Sequence, residues 1–84
     1  MFKFTFHSDP SHGWLEVPRS LLDILGIAGD VSRYSYTDGP HAYLEEDCDM
    51  PRLLRLLDER QAAYELREIY VNRDHWIRSL QRFI

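Results

Sequence analysis

Residues 2–7, Phe-Lys-Phe-Thr-Phe-His, alternate aromatic and polar side chains without a break. Successive strand side chains point to opposite faces, so Phe2, Phe4 and Phe6 share one surface while Lys3, Thr5 and His7 share the other. This pattern commits the N-terminus to a half-buried β-strand. A lone strand or hairpin is only marginally stable in water, so the rest of the chain must supply a sheet and something to cover it.

The following segments fit that demand. Ser8–Gly13 reads as a turn, and Trp14–Val17 can pair back on the first strand. Pro18 opens a short helix in which Leu21, Leu22 and Leu25 share a face, with Gly26 as its stop. Residues 31–37 and 41–46 flank Asp38-Gly39-Pro40 as a hairpin, with Tyr34 and Tyr36 on one face and Ala42 and Leu44 sharing another. Asp49 is placed to cap a second helix with Pro51 in its first turn. Met50, Leu53, Leu54 and Leu57 recur there at helical spacing. Residues 61–71 read as a further strand with imperfect alternation, central or bulged. In the tail, Trp76, Ile77, Leu80, Phe83 and Ile84 keep helical spacing, with Asp74 as cap; an extended tail across the sheet is the alternative. The expected fold is α+β: a small antiparallel sheet with two helices packed on one face, in the order ββαββαβ plus a C-terminal tail or helix.

The 84 residues allow one domain, 1–84. A single cysteine excludes an internal disulfide and the stapled secreted scaffolds that depend on one. The N-terminus lacks a signal peptide's apolar run, and no stretch approaches the roughly 18–20 apolar residues of a membrane span. A cytoplasmic protein is expected, in the host cytoplasm if phage-encoded.

Charge is unevenly distributed. Residues 1–50 hold Lys3, Arg19 and Arg33 against nine acids, a balance of −6, whereas residues 51–84 carry +2. The acidic half disfavours direct nucleic-acid binding and suits a basic partner. Its densest part is Tyr-Leu-Glu-Glu-Asp-Cys-Asp, residues 43–49. Carboxylates before a helix are favourable by roughly 0.3–1 kcal/mol each, which accounts for Asp47 and Asp49. Glu45 and Glu46 have no such reason. Being adjacent on a strand, they should point to opposite faces, which argues against a metal site. Glu45, Glu46, Asp47 and Asp49, with Asp30 and Asp38, are therefore the candidate partner-binding residues.

Other constellations are weaker. His7, Asp9 and His12 contain zinc-ligand types but lack a further ligand at recognisable spacing. Cys48 sits among carboxylates that oppose thiolate formation, so an inert thiol is expected. Arg67, Arg73, Arg78 and Arg82, with Tyr70 and Trp76, could track a single strand, against the net charge. No catalytic residue, metal or cofactor is expected.

His-Gly-Trp-Leu-Glu-Val-Pro (12–18), Tyr-Ser-Tyr (34–36) and Tyr-Leu-Glu-Glu-Asp-Cys-Asp (43–49), in that order, resemble a family of small bacterial proteins widespread in phage and mobile elements. The likeness covers roughly residues 4–75; the tail departs from it. The resemblance brings no activity and no catalytic residue. It implies a setting in which small acidic proteins often inhibit host defence, as several anti-CRISPR proteins of this size do. The expectation is a non-enzymatic inhibitor that binds a CRISPR-Cas effector subunit and blocks target DNA through an acidic surface. The alternative is a small regulatory or accessory domain that binds a protein through exposed Trp14, Tyr34 or Tyr36. Either admits a homodimer through an exposed sheet edge.

Overall fold

The computed structural model describes residues 1–84. Strands β1 (Phe2–Ser8) and β2 (Gly13–Pro18) form an antiparallel pair, with His7 opposite Trp14 and Phe6 opposite Leu15. Helix α1 (Arg19–Leu25) follows directly. Pro18 occupies its N-cap position, and Gly26 closes it in the left-handed conformation with φ 75°. Strand β3 is reduced to Tyr36–Thr37, and β4 spans His41–Glu45. Helix α2 (Met50–Glu59) then leads to β5 (Tyr64–Tyr70), a 3-10 turn at Trp76–Ser79 and a last short strand, β6 (Gln81–Arg82).

The fold is α+β, as expected, but the sheet differs from the expectation. It has six strands in the order β5-β1-β2-β4-β3-β6. β5 lies parallel to β1, from Phe2 opposite Tyr64 to Ser8 opposite Tyr70, so the sheet is mixed and not purely antiparallel. The connection from β4 through α2 is long enough for a crossover, which a parallel neighbour requires. β5 is an edge strand, neither central nor bulged. Its poor alternation follows from exposure on both faces.

The main core lies between one sheet face and both helices. Phe4, Leu15, Val17, Ala42 and Leu44 meet Leu21 and Leu22 of α1 and Leu53 and Leu57 of α2. Burying each such side chain contributes roughly 1.5–3 kcal/mol. The opposite face is also covered, which the alternation alone did not show. Trp14, Tyr36 and Tyr43 pack there against Ile77, with Leu80 alongside.

The cover is the C-terminal segment, and its form explains the misleading helical spacing. The side chain capping its single 3-10 turn belongs to His75, whose Nδ1 accepts the Ile77 N–H at 3.2 Å; Asp74 does not cap it. The chain then extends. β6 pairs with β3, and the Phe83 N–H bonds the Ser35 carbonyl at 2.9 Å, delivering the Phe83 ring to the main core. No helix is long and apolar enough to cross a membrane.

Candidate functional site

The acidic run splits by burial. β4 ends at Glu45, so the chain turns before Glu46 and the expected opposition of the two glutamates does not arise. Glu45 is 6% exposed. Its Oε1 accepts the N–H groups of Asp47 and Cys48 at 2.9 and 3.0 Å, and its Oε2 lies 3.4 Å from His12 Nδ1. Asp49, 5% exposed, does not cap α2 with its side chain. It accepts the Ser32 N–H at 3.0 Å, the Ser32 hydroxyl at 2.6 Å and the Ser35 hydroxyl. Ser35 in turn accepts the Glu45 N–H at 2.9 Å. These two carboxylates are thus pegs that hold the segments on either side of β4.

Glu46 and Asp47 remain available, half-buried and exposed respectively. The ligand oxygens of Glu45, Glu46 and Asp47 lie within 4.8 Å of one another, and this trio is the grouping that could approach a divalent cation. Partial burial first, then the Asp47 and Glu45 charges, push the Glu46 carboxyl above its usual range. Asp30 and Asp38 are not part of this corner. Asp30 is exposed with its carboxylate 3.9 Å from Arg52, while Asp38 accepts the Tyr43 hydroxyl at 2.7 Å and the His41 N–H at 3.1 Å.

Beside the corner opens a cleft of about 310 Å³, lined by His12, Trp14, Tyr34, Tyr36, Glu45, Asp47, Cys48, Arg78 and Arg82. Its aromatic residues correct an expectation: Trp14 and Tyr36 are buried, and of the three expected anchors only Tyr34 is exposed. Arg78 stacks over Trp14 with its guanidinium carbon 5.1 Å from the ring centre, and Arg82 stacks over Tyr36 at 4.9 Å. The Trp14 indole N–H is buried without a hydrogen-bond partner. Such a donor costs free energy unless something accepts from it. Sequence reasoning missed this cleft because the arginines and the aromatic residues meet only through the fold of the tail.

Arg78 is fixed by Asp9. The carboxylate takes Arg78 Nε at 2.9 Å and Nη2 at 3.1 Å, together with the backbone N–H groups of Ser11, His12 and His75. The Arg78 bond, above all, holds the Asp9 carboxyl far below the usual carboxylate range. This commitment also disposes of a zinc grouping around Asp9. His7 bonds Glu16 at 2.8 Å and His12 faces Glu45, so the three residues do not converge. The C-terminal arginines do not form one track either: Arg78 and Arg82 sit at the cleft, and Arg67 lies on β5. Local desolvation, then the Glu45 carboxylate, raises the Cys48 thiol, which disfavours thiolate.

Comparison with protein-family models, with curated proteins and with solved structures found no match to this chain.

Proposed function

We propose that the protein is a non-enzymatic inhibitor of a bacterial defence system, an anti-CRISPR protein that binds a CRISPR-Cas effector and blocks target DNA. The observation that carries the reading is the acidic corner at the end of β4. Glu45 spends one oxygen on turning the chain, and the turn gathers Glu46 and Asp47 beside it. Folding gains nothing from the second and third charges: burial first, and then repulsion from Asp47 and Glu45, raises the Glu46 carboxyl. A basic surface would relieve that repulsion. Burial of Glu45 and Asp49 reduces the proposed contact to Glu46 and Asp47.

The test is an effector–DNA binding assay with Glu46→Lys/Asp47→Lys. Inhibition by the unaltered protein should weaken steeply with salt and be lost in the double variant. Unchanged inhibition by the variant removes the charge mechanism, and no inhibition by the unaltered protein removes the class for the effectors tried. One observation favours a second reading, a regulatory or accessory domain that grips a protein side chain in the aromatic cleft: the exposed Tyr34 on its wall. Binding of that kind would persist across the same salt series.

A further inference from the structure

β5 leaves one whole edge of the sheet unpaired. The Ala63 carbonyl and the Val71 N–H both bond β1, so the odd-numbered backbone groups between them face inward. The N–H and C=O of Tyr64, Leu66, Glu68 and Tyr70 consequently point out of the sheet, a ready template for another strand. Leu66, Ile69 and Tyr70 are exposed beside this edge, interleaved with the exposed charges of Glu65, Arg67 and Glu68.

We infer that β5 pairs antiparallel with β5 of a second copy of this chain, about a two-fold axis at Leu66. The charges select both partner and register. A two-fold axis normal to the sheet keeps each face on its own side, so the possible registers differ in which residue sits on the axis. Glu65 on the axis would meet its own copy, as would Arg67 or Glu68, each setting like charges opposite one another. Registers centred farther out shorten the overlap and leave Glu65 and Arg67 without each other. Leu66 on the axis sets Glu65 opposite Arg67 of the second copy, and the symmetry repeats this pair. These are non-hydrogen-bonded positions of the new ladder, where opposed side chains approach most closely. The same register lays Leu66 on Leu66 across one face, and Ile69 beside Ala63 on the other. The product is a continuous twelve-stranded sheet, twice the six strands of one chain.

Analytical ultracentrifugation from about 10 µM to about 500 µM tests this, because mass action fills any dimer as concentration rises. The unaltered chain should reach twice its 10.0 kDa mass. Glu65→Arg and Arg67→Glu should each stay monomeric, and the double swap should restore the dimer. Leu66→Pro should also be monomeric with an unchanged far-ultraviolet spectrum, since it deletes an outward donor that the β1 ladder does not use. A chain that remains at 10.0 kDa throughout overturns the inference, including the case in which β5 serves a strand of some other protein. Single swaps that still dimerise, or a double swap that stays monomeric, overturn it as well.

Discussion

Asp9→Asn should unfasten the C-terminal segment from the sheet. Asp9 lies in the turn between β1 and β2, and its carboxylate reaches across to His75 and Arg78 of the tail. Its side chain is 1% exposed and that of Arg78 is 30% exposed. Breaking a buried ion pair by removing one partner costs about 3–5 kcal/mol, because the other charge is stranded. Arg78 retains some access to water and its stacking on Trp14, so the lower end, about 3 kcal/mol, applies. An amide cannot recover the loss: an oxygen turned to Ser11 and His12 turns its NH₂ toward donors on His75 and Arg78. For a domain of this size 1 kcal/mol shifts the melting temperature by about 4–8 °C, which predicts a drop of about 12–24 °C. Thermal unfolding followed by circular dichroism reads the shift. A double-mutant cycle with Arg78→Leu, measured in urea, isolates the pair. The pH dependence has a definite sign. The folded carboxyl titrates below its ordinary 3.8, so its contribution is complete above that pH and is lost as pH falls from there through the folded value. The gap between Asp9→Asn and the unaltered protein should thus be full at neutral pH and close in acid. A melting shift under about 3 °C, or a coupling below about 0.5 kcal/mol, would refute the assignment of this carboxylate as the fastening.

His75 gives a second pH-dependent test. Burial, then the neighbouring His7, lowers its folded value below 6.5, so the unfolded chain takes up a proton that the folded chain resists. Stability should fall as pH drops through 6.5, and His75→Asn, which keeps an acceptor for the Ile77 N–H, should show a flatter urea midpoint over about pH 7.5 to about pH 5.5. Gly13→Ala should destabilise by about 1–3 kcal/mol, because the added carbon would lie 2.3 Å from the Phe6 ring. Phe6→Leu in that background should recover part of the loss, as read by urea unfolding.

The N-terminal strand was legible because strand side chains alternate between two faces, here one against the helices through Phe4 and one that carries Lys3, Thr5 and the buried His7. Its phenylalanines and the leucines of α2 do meet in one core, through Phe4, Leu53 and Leu57. The position of β5 was not legible. A strand exposed on both faces keeps no clean period, and nothing local in Tyr64–Tyr70 tells a parallel neighbour from an antiparallel one. The tail misled for a different reason. Ile77 and Phe83 serve different cores on opposite sheet faces, so the spacing that suggests one helical stripe is produced by two separate burials. Asp49 shows a limit of motif reading: the residue type and position suit a cap, but Ser32 and Ser35 offer it better-satisfied bonds.

The acidic run shows why such a segment should not be mutated as a block. Glu45 and Asp49 are joined through Ser35, which accepts from the Glu45 backbone and donates to the Asp49 carboxylate. Reversing Glu45 would free the Asp47 and Cys48 N–H groups and dissolve the turn that presents Glu46 and Asp47. A loss of binding in Glu45→Lys would therefore have two causes, local unfolding and changed charge, that no binding assay could separate. Glu46 and Asp47 make no side-chain bond that the turn depends on, and Asp47 projects into water. Charge reversal at those two positions leaves the bonds of the turn in place, Asp47 being exposed and Glu46 half-buried. Removing the Glu46 carboxylate, which burial first and then the Asp47 and Glu45 charges disfavour, should leave stability within about 0.5 kcal/mol of the unaltered protein. Binding lost with stability retained is the combination that assigns the corner to a partner, and binding lost together with stability assigns it to the fold.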